Sequence, residues 1–385
     1  IPGARGLDLA RDPVGAPLRD EFRKGFEYWD VWVDDARLVL LNALDAHRRG
    51  AEVLTRTAVA AARREGGLWR ATLRDAETAA ERRVEARAVF NAAGPWVEEV
   101  LGGVAGVNAK RRIRLVKGSH IILKRWWEGD HGYVLQAHDK RIIFVNPYFD
   151  DLALVGTTDI PFEGRAEDVA IDGEEVDYLL SILNRYFETD LKPGDVVHSY
   201  SGVRPLFDDD AAKGASAVTR DYEFELSGGG EAAPILSAFG GKLTTYRKLA
   251  EAALDRLAPF LPAMGAAWTE GAPLPGGDLP DAAFDRWLDG FRAAHPWLPE
   301  DLARHYGRCY GSEAAALLDG ATSLGDLGRR FGGLFYEREA EWLMAREWAR
   351  TAEDMLTRRT KHGLFMTAAE QAAVADWLAA REAAA

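Results

Sequence analysis

Residues 236–254, LSAFGGKLTTYRKLAEAAL, decide how this chain is read. Leu236 to Phe239 is a short apolar run of the kind that forms a buried strand. Gly240 and Gly241 follow at once, then Lys242, Leu243, Thr244 and Thr245, then a helical pattern. A strand that passes through a Gly-Gly turn into a helix, with almost no loop, is α/β architecture. Glycine lets the backbone turn sharply and approach a flat group closely. The helix start presents free N–H groups and the positive end of a dipole. The plain alternative is a glycine hinge between two structural elements.

Upstream the same style recurs. FEYWDVWV (26–33) reads as an aromatic strand, and Asp34 or Asp35 as the N-cap of a helix carrying Leu40, Leu41 and Leu44, closed by Gly50. Residues 51–75 read as strands with a hairpin at Gly66-Gly67, and VFNAAGPW (89–96) as a buried strand entering Ala-Gly-Pro. From Arg111 to Asp159 strands dominate, and GEEVDYLLSILNRYF (173–187) is an amphipathic helix. This region reads as an antiparallel sheet with a helix. A Pro/Gly linker covers 263–280, and 281–385 reads as an all-α domain.

Composition sets bounds. The chain has 385 residues, 47% hydrophobic and 28% charged, enough for two or three cores. A formal net charge of -13 argues against non-specific nucleic-acid binding. One cysteine, Cys309, excludes an internal disulfide and fits a reducing, cytosolic compartment. No apolar run is long enough to span a bilayer.

The chemistry-bearing motifs are few. The only match to a dinucleotide fingerprint, Gly228 to Ala233, lies between two strand-like runs and reads as a hairpin loop. The histidines lack metal-ligand spacing and Cys309 stands alone, so no metal site is expected. No Gly-x-Ser-x-Gly elbow supports a serine triad. Lys117, Ser119 and His120 fall at an expected turn-to-strand junction, where a satisfied core histidine is the plain alternative. Arg204 falls in a Gly-Val-Arg-Pro turn, held extended by the following proline. Arg220 falls at a strand start, where a surface pair with Asp221 is the alternative. Arginines near one sheet suit a phosphate dianion, which guanidinium binds bidentately. Trp126 and Trp127, after Lys124 and Arg125, read as a surface loop or an interfacial membrane tip.

Many ordered motifs resemble the bacterial aerobic FAD-dependent glycerol-3-phosphate dehydrogenase family. They include FEYWDVWVDDARLVLLNA, NAAGPWV, IRLVKGSHIIL, GTTDIPFEG, YSGVRPLFDDD, TRDYEFEL and FGGKLTTYRKLAE, with WLPEDLARHYGRCYGS and RRTKHGL near the end. The resemblance implies α/β plus α+β architecture: a partial glutathione-reductase-like FAD domain interleaved with an antiparallel-sheet substrate domain, then an all-α C-terminal domain. The boundaries expected are 1–98 and 236–262 for the FAD domain, with one cap strand near 26–33, and 99–235 for the substrate sheet. It also implies that the strand–Gly-rich loop–helix unit for the FAD pyrophosphate lies upstream of Ile1, making this an N-terminally incomplete member.

The activity implied is oxidation of sn-glycerol 3-phosphate to dihydroxyacetone phosphate by hydride transfer to FAD, with electrons passed to a membrane quinone. A glycerophosphate oxidase using oxygen, and a non-catalytic fragment, are the alternatives. By motif, His120 and Lys242 become catalytic, and either one serves as the base. Arg204 and Arg220 bind substrate. Val59, Gly94, Pro95, Trp96, Gly240, Gly241, Leu243 and Thr244 contact FAD. The family often has Thr where Ala93 stands, so only backbone approach is expected there. The helix end after Lys242 would stabilise negative charge on the reduced ring. The resemblance further implies a cytoplasmic protein peripheral on the inner membrane face, and is compatible with a homodimer.

Overall fold

The computed structural model describes residues 2–149, 151–207 and 221–383. Along the chain run β1 (Arg5–Asp8), β2 (Lys24–Glu27), α1 (Asp35–Arg48), β3 (Thr57–Glu65), β4 (Leu68–Asp75), β5 (Glu81–Ala86) and β6 (Val89–Asn91). Then come α2 (Val97–Glu99), β7 (Ile113–Lys124), β8 (Tyr133–Gln136), β9 (Ile142–Tyr148), β10 (Leu152–Gly156), β11 (Ile160–Pro161) and α3 (Gly173–Tyr186). β12 (His198–Phe207), β13 (Tyr222–Gly229), β14 (Ala232–Gly240) and α4 (Tyr246–Leu257) complete this half. The remainder holds α5 (Phe284–Ala294), α6 (Glu300–Tyr310), α7 (Ala314–Leu317), β15 (Arg330–Gly332), β16 (Phe335–Tyr336), α8 (Glu337–Glu347) and α9 (Ala368–Glu382).

Two compact units form. One comprises 1–31 and 56–267, the other 32–55 and 268–385. The first unit contains an antiparallel sheet with a helix, as the sequence predicts; it has six strands, and β13, expected to continue it, pairs with β14 instead. The order of the six is β11-β7-β10-β9-β8, with β12 on the other edge of β7. Successive side chains of a strand point to opposite faces. Ile121 and Leu123 of β7, Val145 of β9 and Val155 of β10 point to the face where α3 packs with Leu179, Leu180, Ile182 and Leu183. α3 begins with a capping box in which Asp172 accepts from the Glu175 N–H and Glu175 accepts from the Asp172 N–H.

The same unit holds β13-β14-β6, in which β14 and β6 run parallel with Ser237 beside Asn91. Trp69, Val97, Leu101, Ile235 and Phe239 form its core. The Gly228–Gly230 stretch is a hairpin loop with three left-handed glycines, as the sequence predicts.

The second unit is mostly helical. Its core gathers Leu302, Tyr306, Leu317, Phe335, Leu343 and Val374. Helix α1 packs within this unit, and Asp34 caps it through the Arg37 N–H. The buried Arg37 guanidinium reaches the Glu347 carboxylate at 2.5 Å and the Cys309 carbonyl at 2.7 Å.

Three local expectations are corrected. The aromatic run 26–33 is not a strand throughout. β2 ends at Glu27, after pairing with β1, and the following residues have no partner strand. Alternating aromatic residues mimic a strand face, but here Phe26, Trp29 and Trp32 are exposed. His120 sits inside the long strand β7, and Arg204 inside β12, rather than at a junction and in a turn, because the two strands pair from Ile113 to Ile122 without a break. Trp126 and Trp127 form no membrane tip. Trp127 is 7% exposed, donates to the His131 carbonyl and packs on Tyr133, while Trp126 packs on Phe187. Their ring area is more favourably buried in that core than left in water.

Candidate active site

The site is built from one row of residues across the antiparallel sheet. Tyr200 of β12 lies opposite His120 of β7, His120 opposite Gly156 of β10, and Gly156 opposite Phe144 of β9. Laterally paired residues share a face. This row therefore lies on the face opposite α3, where Phe144 and Tyr200 are both exposed. Tyr200 stacks on the His120 imidazole.

Glycine makes room at two points in this face. A Cβ on Gly156 would stand 2.2 Å from His120 Cδ2, so the imidazole occupies the space that a side chain there would need. A Cβ on Gly118 would stand 2.6 Å from Thr157 Oγ1 and 2.8 Å from an Arg204 guanidinium nitrogen. The Arg204 side chain thus crosses β7 over Gly118. It donates to the Asp159 carboxylate at 2.5 Å and to the Thr157 hydroxyl at 3.2 Å. His120 and Arg204 are brought to one face. Gly118, Thr157, Asp159 and Tyr200 join them. They were missed because the motif shows only neighbours in sequence, and these contacts run across strands. The one available signal was the Gly-Thr-Thr-Asp that ends β10.

Lys117 and Ser119 point the other way. Lys117 Nζ lies 2.6 Å from Glu175 Oε2 and 3.2 Å from Asp172 Oδ2. Glu175 Oε1 accepts from the hydroxyls of Ser119, at 2.8 Å, and Thr158, at 2.7 Å. Burial opposes the Lys117 charge, but the hydrogen bonds it donates to Glu175 and Asp172 outweigh it, and its pKa is raised. Asp172 is held below the usual carboxylate range, first by the Glu175 N–H and then, against some burial, by Lys117. This network joins β7 to α3 and fixes the strand that carries His120.

The second part of the site lies at the carboxyl ends of β6 and β14. The buried Asn91 amide donates to the Val97 carbonyl and the Ser237 hydroxyl, tying the two strands together. Gly94, with φ of 55°, opens a single 3-10 turn through Pro95 and Trp96. This turn packs against both β12 and β14. Trp96 is exposed and its indole donates to Glu167. β14 ends in Gly240 and Gly241, with φ of 74° and 99°. One 3-10 turn, Leu243–Thr245, then leads into α4. Lys242, Leu243 and Thr244 are exposed, and neither this turn nor α4 has a side-chain cap.

These features fit a flavin ring. Two left-handed glycines leave the backbone bare, and a helix start without a capping side chain offers N–H groups to an electron-rich edge. Val59 stands elsewhere, at a bulge on β3 in the three-stranded sheet β3-β4-β5. Arg220 lies outside the described residues.

This fold and this site define an FAD-dependent oxidoreductase. Residues 4–247 match the FAD dependent oxidoreductase family, and residues 267–381 match the C-terminal domain of alpha-glycerophosphate oxidase. The chain is 54% identical over 377 residues to the D-erythritol 1-phosphate dehydrogenase of Brucella abortus (strain 2308), covering 98% of this chain and 75% of that one. It is 45% identical over 378 residues to the aerobic glycerol-3-phosphate dehydrogenase of Escherichia coli (strain K12), covering 98% and 74%. The glycerol-3-phosphate dehydrogenase of Bacillus halodurans, solved with FAD, superposes with a TM-score of 0.80 at 26% identity, over 95% of this chain and 73% of that one. The chain belongs to the FAD-dependent glycerol-3-phosphate dehydrogenase family.

Proposed function

We propose that this chain oxidises a secondary alcohol of a phosphorylated polyol on the open face of its antiparallel sheet. The observation that carries this reading is the convergence of His120 and the Arg204 guanidinium on one face, over Gly118 and beside Gly156. A guanidinium binds a phosphate dianion bidentately. An imidazole has an unperturbed pKa near ~6.5 and takes a hydroxyl proton at working pH.

In this reading Arg204 orients the phosphate, with Asp159 and Thr157 holding the guanidinium in place. Arg220 is the second phosphate ligand. Nε2 of His120 takes the proton of the reacting hydroxyl, because a secondary alcohol is too weak an acid to ionise unaided. Lys242, exposed beside the Gly-Gly turn, polarises the substrate oxygen, and the two roles are exchangeable. Gly94, Pro95, Trp96, Gly240, Gly241, Leu243 and Thr244 hold the flavin ring, and Val59 meets the adenine side through its backbone. FAD, when bound, supplies the two-electron acceptor.

The test is His120→Gln in the FAD-loaded protein, read as anaerobic flavin reduction by substrate. Loss of a general base slows this step about 10²–10⁴-fold. Reduction at the wild-type rate would reject the base assignment and move it to Lys242.

Two substrates are in play. Relatives at 45–46% identity are named for glycerol 3-phosphate, and one at 54% for D-erythritol 1-phosphate. The higher identity, over the same length of chain, favours the four-carbon substrate. The ratio of kcat/KM for the two compounds tests this, and a ratio favouring glycerol 3-phosphate restores the three-carbon reading. Membrane quinone is the proposed electron acceptor, as the sequence resemblance implies. No helix among the described residues is long and apolar enough to cross a membrane. Peroxide release matching substrate consumption would favour an oxidase instead.

A further inference from the structure

His305 of α6, Glu339 of α8 and His362, at the start of a 3-10 turn (His362–Phe365), meet in the helical unit. None of them is among the residues assigned above to the oxidoreductase site. Their separations in sequence, 34 and 23 residues, match no metal motif, which is why the sequence predicts none. In the fold His305 Nε2 lies 2.7 Å from Glu339 Oε1. His362 Nε2 lies 3.2 Å from Glu339 Oε2 and 3.0 Å from His305 Nε2. Glu339 and His362 are buried and His305 nearly so, with Tyr306 and Phe335 as aromatic walls.

With Glu339 ionised, protons do not satisfy all three of these contacts with straight hydrogen bonds. Each Nε2 carries at most one hydrogen. If both donate to the carboxylate, two N–H groups face each other across 3.0 Å without an acceptor. If only His305 donates, the lone pairs of His362 Nε2 and Glu339 Oε2 face each other across 3.2 Å. A divalent cation engages all three lone pairs at once.

We propose that His305, Glu339 and His362 form a three-ligand zinc-type site, with its fourth position left to a water, that clamps α6, α8 and the turn at His362. Two imidazoles and a carboxylate suit Zn²⁺, with bonds of about 2.0–2.2 Å and tetrahedral edges of about 3.3 Å. The observed edges open to admit it, the His305–Glu339 edge by about 0.6 Å and the others by less. The surrounding groups orient the ligands as a metal site requires. Tyr310 donates its hydroxyl to Glu339 Oε1 at 2.7 Å. Cys309 Sγ lies 3.8 Å from His305 Nδ1, a partner for the tautomer that leaves Nε2 free to bind.

The test uses the FAD-loaded protein stripped with chelator and titrated with Zn²⁺ or Mg²⁺ alone. One equivalent of zinc should remain after dialysis and raise the thermal midpoint, while magnesium should do neither. Tyr310→Phe should weaken zinc about 10–100-fold, and His362→Gln should weaken it further. Zinc retained equally by wild type and His362→Gln would place it elsewhere and overturn the proposal, as would no retained zinc. Co²⁺ titration of the unaltered protein needs no variant: a visible ligand-field band saturating at one equivalent supports the site, and no band overturns it.

Discussion

The Tyr200 ring lies nearly parallel to the His120 imidazole, with centroids 5.0 Å apart and planes 11° from parallel. The stack fixes the ring plane of the proposed base against β12. An aromatic pair contributes about 0.5–1.5 kcal/mol, so Tyr200→Ala should lower kcat up to roughly tenfold. Tyr200→Phe should keep the rate. Steady-state kinetics of the two variants check this, and equal losses in both would shift the role to the hydroxyl.

Gly156→Ala should harm the site from the other side. The added methyl meets the imidazole at 2.2 Å, so His120 must turn away. A displacement of ~1 Å at reacting groups costs on the order of 10²-fold in rate. The expected result is a folded protein, by circular dichroism, with kcat reduced on that order.

Arg204→Lys keeps one positive charge but loses the fork that spans Asp159 and Thr157. A charge-assisted hydrogen bond contributes about 1.5–3 kcal/mol, so KM for the phosphorylated polyol should rise roughly 10–150-fold. The unphosphorylated polyol should change little. Parallel losses with both compounds would argue against phosphate binding.

Glu175→Ala should destabilise the sheet unit. It leaves the Lys117 ammonium buried on that side of β7, with the hydroxyls of Ser119 and Thr158 deprived of their acceptor. Breaking a buried pair costs about 3–5 kcal/mol. Urea unfolding measures it. Replacing Lys117 by Met as well should recover part of the loss, since the ammonium, left with only Asp172 and the Ala170 carbonyl, is then gone.

Acid should act through Asp172. Its pKa is lower in the folded chain than in the unfolded one, where it is about 3.9. Its contribution is therefore full above that value and is lost as pH falls through the lowered folded pKa. Urea midpoints of wild type and Asp172→Asn should differ at neutral pH, and the difference should start to shrink only as pH falls below about 4. Lys117 acts in the opposite direction. Its raised pKa gives a contribution present below about 10.4 that is lost as pH rises through the folded value.

Much of the architecture was legible in advance because local patterns enforce it. The Asp34 cap, the Gly66-Gly67 hairpin, the strand–glycine–helix junction at 236–254 and the α3 periodicity all act within a few residues. The errors arose where burial decides. Trp126 and Trp127 read as a surface tip until Phe187, far along the chain, packs on Trp126 and Tyr133 on Trp127. The run 26–33 has the alternation of a strand but no partner beyond Glu27.

By itself the sequence determined the kinds of element, their order and the motifs that carry chemistry, because capping, turn geometry and apolar periodicity are short-range forces. It did not show that Lys-Gly-Ser-His splits between two faces, with Lys117 and Ser119 turned to α3 and Gly118 and His120 to the open side. Strand alternation sets that split, and only the register of β7 with β10 and β12 says which side is buried. Nor did it show the meeting of His305, Glu339 and His362. Groups 34 and 23 residues apart become neighbours only when packing of α6 on α8 closes the chain around them.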